Sequence, residues 1–193
     1  ARRVRFLVGL PALVLRVLWR LPAALAAMLA LAVAVPLLAR APGRQRRAVH
    51  RICRLLCAVL GLRIEDRGAP SAEPALLAAN HVSWLDTIVL VALSGAEAWP
   101  AFVAKAEVAG WPIVGPAGRR LGMCFIDRRN RFACYRSLPG IQARLRRGPV
   151  AVFPEGTTTI GAAVAPLYPM LFETAVREGV PVQAVTLAYR TVD

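Results

Sequence analysis

The sequence predicts an α/β fold, a mostly parallel central sheet flanked by helices, preceded by a helical region that attaches to a membrane. Three observations carry that prediction. From Leu62 onward, short apolar runs alternate with helical stretches, the pattern of strands covered on both faces and joined by helices. Leu21 to Ala39 is a stretch of nineteen residues without a charge, close to the ~20 needed to cross a bilayer. Basic charge is concentrated in the first third: residues 1–67 hold thirteen Arg against Glu65 and Asp66, whereas 68–193 hold eleven Arg and Lys105 against nine acids. The expected division is a membrane-attaching basic helical region at 1–61 and an α/β domain at 62–193. The chain stops soon after the last apolar strand, so a C-terminally incomplete domain is expected, and the absence of an initiator Met fits a trimmed chain.

Bulk composition excludes several classes. The 193 residues carry a net charge of +14 and are 57% hydrophobic, with a mean hydropathy of +0.51. A disordered basic tail would be poor in apolar residues. A soluble nucleic-acid binder would carry such a charge without so apolar a chain, and the arginines cluster around an apolar anchor instead of alternating with stacking aromatics. No nucleic-acid partner is expected. Cys53, Cys57, Cys124 and Cys134 form no C-x-x-C pair, and His50 and His81 are the only histidines, so neither a disulfide framework nor a zinc site is expected. Cys53 and Cys57 lie four apart on one helix face, which reads as apolar packing.

The elements follow in order. Residues 6–39 form the first apolar unit, in which Pro22 suits a first helical turn and Pro36 ends or kinks the helix. Arg16 and Arg20 interrupt its start at a spacing that lets them reach lipid headgroups. A secretory signal is the competing reading, opposed by the arginines that continue directly after the run. A spanning helix and an interfacial hairpin both remain open. After Pro42-Gly43, residues 45–60 repeat Ile52, Leu55, Leu56, Val59 and Leu60 at helical spacing, with Arg46, Arg47, Arg51 and Arg54 on the flank and Gly61 as a stop. Such a helix lies on anionic headgroups, packs on the core with a solvated charged face, or does both at once. Strands are expected at 62–66, 75–79, 101–104, 124–128, 150–153 and 182–189, and helices at 83–93, about 130–147 and 169–178.

Three clusters sit where such a sheet collects its working residues, in loops after strands. The first, Asn80 to Thr87, reads NHVSWLDT. Ser83 fits a helix N-cap with Asp86 at the third helical position, a capping box. His81 just before it can fold back onto that carboxylate, which would fix one imidazole tautomer and leave the other nitrogen free to take a proton. The second cluster, Gly122 to Arg129, delivers Asp127, Arg128 and Arg129 to a strand end, where guanidinium groups pair well with a phosphate or form a solvated basic loop. In the third, Val152 to Thr159, Pro154 and Gly156 force a turn with Glu155 at its apex and three threonines beyond it. Lys105, at another strand end, either assists an anion or is solvated.

In this order and spacing the clusters resemble the glycerolipid acyltransferase family. Its first block, a His, four residues and an Asp, is matched by His81 and Asp86. Its Gly-x-x-Phe-Ile-Asp-Arg block is matched from Gly122 to Arg128, its Phe-Pro-Glu-Gly-Thr block from Phe153 to Thr157, and its Val-Pro by Val180 and Pro181. The resemblance covers roughly residues 75–190 and is more specific for the family than for the substrate. It implies transfer of a fatty acyl group from acyl-CoA, or acyl carrier protein, to the free hydroxyl of a lysophospholipid, first of all 1-acylglycerol-3-phosphate, giving phosphatidate. It implies His81 as general base, Asp86 as its orienting partner, Arg128 on the acceptor phosphate, and Glu155, Gly156 and Thr157 lining the acceptor pocket. No covalent acyl-enzyme is implied, and the sequence holds no G-x-S-x-G elbow. No metal or cofactor is implied beyond the thioester co-substrate. The implied partners are the bilayer, the lysophospholipid acceptor and the acyl donor, at the cytoplasmic face of the inner membrane. Two departures bear on the acceptor: Thr158 and Tyr168 stand where many family members have basic residues. Another lyso-lipid, such as lyso-ornithine lipid, is the alternative acceptor, and a non-catalytic basic membrane-binding protein is the alternative from another class.

Overall fold

A computed structural model describes residues 2–127, 131–161 and 163–190. Helix α1 runs unbroken over Arg2–Leu37, so Pro22 lies inside it instead of in a first turn. A proline removes only its own hydrogen bond, and the flanking Leu- and Ala-rich turns keep theirs. Pro36 falls in the last turn, as expected. Within α1, Leu18–Leu37 is long and apolar enough to cross a membrane. This stretch buries mainly Ala27 and Val35, with Leu31 between them packed on the core, and exposes Leu21, Leu25, Leu29, Val33 and Leu37. Arg20 is half-buried, its guanidinium lying against Gly61, where the carbonyl end of the next helix attracts a cation.

Helix α2 (Pro42–Leu60) starts on a proline and ends at Gly61 in the left-handed conformation that glycine favours, φ 75°. Its buried face is Val49, Cys53, Leu56 and Cys57, and Leu55 is exposed, so the inward face is rotated from the expected one. The helix thus packs on the core. Two of the four flanking arginines are tied down: Arg46 donates to the carbonyls of Glu97 and Trp99 and sits 4.1 Å from the Trp99 ring centroid, and Arg47 pairs with Glu97. Burial pushes the Cys53 thiol up to about 12, with a smaller contribution from Cys57.

The remaining elements are β1 (Leu76–Ala79), α3 (Leu85–Leu93), β2 (Ala101–Lys105), a 3₁₀ turn (Ala106–Gly110), α4 (Val114–Leu121), β3 (Cys124–Ile126), α5 (Arg131–Leu145), β4 (Val150–Val152), α6 (Pro169–Glu178) and β5 (Val182–Val185). The strands form one sheet in the order β3-β2-β4-β1-β5, every neighbouring pair parallel. The expected strand at 62–66 is absent. Three of its five residues are charged, and the free edge beside β1 is taken by β5. Helix α4 was not expected, because Gly115, Pro116 and Gly118 mask its periodicity.

Alternation along β1 and β4 divides the core. Leu77, Ala79, Ala151 and Phe153 join α1, α2 and α3 on one face, while Leu76, Val150 and Val152 join α5 and α6 on the other. Both faces are covered, which is why these strands read as continuous apolar runs. Leu77 is wholly buried. Leu77→Ala is expected to cost about 2–5 kcal/mol of stability, measured by denaturant unfolding in detergent.

Candidate active site

The site stands at the carboxyl ends of three adjacent strands, β4, β1 and β5, outside the sheet edge where parallel α/β folds bind ligands. Register explains the convergence. Ala78 of β1 pairs with Val152 of β4, and Ala79 with Val185 of β5. The residues that follow each strand therefore emerge side by side.

After β1, the chain turns through Asn80–Trp84 into α3. Asp86 is 0% exposed and its carboxylate organises that turn. Oδ2 accepts from His81 Nδ1 at 2.8 Å and from the backbone N–H groups of Val82 and Ser83 at 2.8 and 2.9 Å. Burial raises the Asp86 carboxyl, but the bonds from His81, Ser83, Tyr189 and Val82 together outweigh it and hold it below the ordinary aspartate value. The capping box is half present. Asp86 accepts the Ser83 N–H, but Ser83 Oγ receives Leu85 N–H at 3.2 Å and the helix begins one residue later than expected.

The His81 ring stacks on Phe153 from the end of β4, with centroids 4.1 Å apart and planes 18° from parallel. With Nδ1 given to Asp86 and one face to Phe153, the proton-accepting option left to the imidazole is Nε2. Thr159 N–H donates to the His81 carbonyl at 2.8 Å, so the two loops are also joined through the backbone.

Glu155 stands in the turn between Phe153 and Gly156, the expected place, but its side chain is directed inward. It is 5% exposed, and its carboxylate accepts from the backbone N–H groups of His81 at 3.1 Å and Ala165 at 3.0 Å. It cross-links the β1 and β4 loops. Glu155 also borders a cavity of about 370 Å³ with Thr157, Leu167 and Tyr168. Gly156 closes the turn, at φ 72°, with its N–H on the Phe153 carbonyl. A larger apolar groove of about 660 Å³ runs between α5 and α6 and shares Tyr168 with the smaller one. Arg128 lies outside the described residues. Strand β3, which leads to it, ends at Ile126 on the far edge of the sheet, beyond β2. Lys105 is exposed at the end of β2. Among the described residues, no three His, Cys, Asp or Glu side chains come together to hold a metal ion.

Two contributors were not legible beforehand. Tyr189 donates to Asp86 Oδ1 at 2.6 Å. Asn80 clamps Leu187 with two bonds, Nδ2 to its carbonyl at 2.9 Å and its N–H to Oδ1 at 2.7 Å. That clamp ends the expected strand 182–189 at Val185 and turns the chain over the site.

The chain is 36% identical over 152 residues to the 1-acyl-sn-glycerol-3-phosphate acyltransferase of Neisseria meningitidis serogroup B, covering 77% of this chain and 58% of that protein. It is 37% identical over 172 residues to the lyso-ornithine lipid O-acyltransferase of Pseudomonas aeruginosa, covering 84% and 63%. This chain thus spans about three fifths of the length of these relatives. The crystal structure of the 1-acyl-sn-glycerophosphate acyltransferase PlsC from Thermotoga maritima shares the fold, with a TM-score of 0.56 at 23% identity over 84% of this chain and 73% of that one. The family model described as Acyltransferase matches residues 62–188, a span that holds the sheet, the His81–Asp86 pair and the clamp that brings Tyr189 to it, and the chain belongs to that family.

Proposed function

We propose that this chain transfers a fatty acyl group from a thioester donor, acyl-CoA or acyl carrier protein, to the hydroxyl of a lysophospholipid. The observation that carries the reading is the His81–Asp86 pair, with one imidazole nitrogen bound and the other available at the sheet edge. His81 Nε2 takes the acceptor hydroxyl proton as the oxygen attacks the thioester carbonyl carbon. The C–S bond breaks, and the leaving sulfur recovers that proton from the imidazolium. Asp86 fixes the ring and stabilises its charged form.

The surroundings of the site support a lipid acceptor. From Gly156 to Phe172 no residue is charged, in a chain of net charge +14. Within this stretch Ile160 is 91% and Val164 72% exposed, and Trp84, on the neighbouring turn, is 62% exposed. Gly161 packs against Val82, so the loop and the turn form one apolar rim. An aromatic and aliphatic rim of this kind suits the headgroup–acyl boundary, and the bilayer-length segment of α1 supports attachment there. We assign the site to the cytoplasmic face of the inner membrane.

The first acceptor proposed is 1-acylglycerol-3-phosphate, with Arg128 on its phosphate. A second reading, lyso-ornithine lipid, is favoured by Thr158 and Tyr168 where family members carry cations, and by the relative from Pseudomonas aeruginosa that bears that name. The test is acyl transfer by the purified protein from labelled acyl-CoA, and separately from acyl carrier protein, to a panel of lysolipids. Product with 1-acylglycerol-3-phosphate supports the first acceptor. Product confined to lyso-ornithine lipid transfers the proposal to the second, and no released thiol with any acceptor overturns the enzyme reading in favour of a membrane-binding protein. Arg128→Ala is expected to raise the acceptor KM about tenfold, roughly the loss of one charged hydrogen bond, with kcat little changed. An unchanged KM removes Arg128 from the phosphate.

A further inference from the structure

Four donors reach the enclosed Asp86 carboxylate from two distant parts of the chain. Three belong to its own turn and converge on Oδ2. The fourth, Tyr189, lies beyond β5 and donates to Oδ1 at 2.6 Å. Its place is built in: β5 runs parallel beside β1, and the Asn80 clamp holds Leu187 two residues before it. We infer that Tyr189 is a positioning residue for the His81–Asp86 pair, holding the carboxylate by its second oxygen and moderating its pull on the imidazole.

The chemistry follows from charge. A donor on Oδ1 draws negative charge away from Oδ2, so the carboxylate stabilises the imidazolium less and leaves more of the ring neutral, the form a base requires. It also fixes the carboxylate plane, so that Nδ1 and the two backbone donors meet one oxygen together. Burial, followed by the bond to Asp86 and the charge of Asp86, pushes the Tyr189 hydroxyl above the usual tyrosine range, so it remains a donor at working pH. The other titratable groups nearby act elsewhere. Glu155 binds the backbone N–H of His81, not its ring, and Cys57 of α2 bears on Tyr189. Phe153, on the ring face, is uncharged.

This inference rests on the proposed base role of His81, and its test separates the two. The chain has only two histidines. In ¹⁵N-histidine-labelled full chain in detergent micelles, the His81 signal is therefore assigned by its loss in His81→Asn. Tyr189→Phe is expected to raise the titration midpoint of His81 by about half to one pH unit, a part of the worth of one charged hydrogen bond. The acid limb of kcat/KM should move up by the same amount, with plateau kcat falling by about threefold to tenfold. Replacing the tyrosines by 3-fluorotyrosine, a stronger donor, should move the midpoint down, and this arm holds even where the phenylalanine variant fails to fold. A midpoint unmoved in either direction overturns the positioning role, because it is read without substrate. Undiminished acyl transfer by His81→Ala would instead overturn the base assignment.

Discussion

Replacing His81 with alanine is expected to lower acyl transfer by about a thousandfold or more, the usual range for a lost general base, while the protein stays folded. The imidazole contributes little to stability. Its ring is partly exposed, one nitrogen bonds Asp86, and its stack on Phe153 is worth about 1 kcal/mol. The fall should therefore appear in kcat, with the unfolding midpoint nearly unchanged. Because the backbone N–H and carbonyl of residue 81 keep their bonds to Glu155 and Thr159, the loops hold their positions without the ring. The acid limb of the wild-type pH profile should vanish in the variant. Rate measurements by thiol trapping, beside circular dichroism of the same sample, decide the matter; wild-type turnover in the variant would end the base assignment.

Asp86 has the second large effect, and its two substitutions should separate. Asp86→Ala leaves the Val82 and Ser83 N–H groups and the Tyr189 hydroxyl without their partner in an enclosed space. At about 1–3 kcal/mol for each unsatisfied group, the loss of stability is several kcal/mol. Asp86→Asn is gentler on the fold. The two backbone donors compel the amide to place its oxygen at the Oδ2 position, and the Tyr189 hydroxyl can turn to accept from the amide nitrogen. His81 keeps its Nδ1–H tautomer in this arrangement but loses the negative charge that stabilises its protonated form. A fall in kcat of about a hundredfold to a thousandfold is expected, with most of the stability retained.

The pH dependence of stability supplies an independent check. The folded-state value of Asp86 is held below the ordinary 3.8 of the unfolded chain. Its contribution is therefore fully present above that value and is lost as pH falls through the lower folded value. Asp86→Asn should flatten the acid arm of the stability curve in that window, as seen by denaturant titration from pH 2 to 6. An acid arm identical to wild type would mean that the bonds to Oδ1 and Oδ2 do not favour the ionised form.

Much of the site was legible because its chemistry is carried by short spacings after strands. Four residues separate His81 from Asp86, and a strand followed by a tight turn brings both to one edge whatever the rest of the fold does. The Phe153–Thr157 block was legible in the same way, although the use of Glu155 as a buried cross-link was not, since its partners lie at His81 and Ala165. Tyr189 was hidden for a related reason: its partner is set by β5 lying beside β1, which no local pattern encodes. Residues 62–66 carried a strand-like pattern, but a strand needs an edge to join, and β5 already occupied the one beside β1. On α2 the apolar stripe was wide enough to be read around either Leu55 or Cys53, and only the packing against α3 decides between them.

The register of β1 also dictates when the site can exist. Leu76 lies in register with Val150 on one side and Val182 on the other, so β1 has no strand partner until β4 has left the ribosome. Pairings this distant in sequence make a fold slow to reach. In the interval β1 presents two bare edges of apolar backbone, a template for joining other chains. The apolar α1 precedes every strand of the sheet and can be held by the bilayer well before β4 and β5 arrive. Early capture of that helix would keep nascent chains apart while the two edges wait, and no acyl transfer would begin before the segment carrying Leu187 and Tyr189 closes over Asp86.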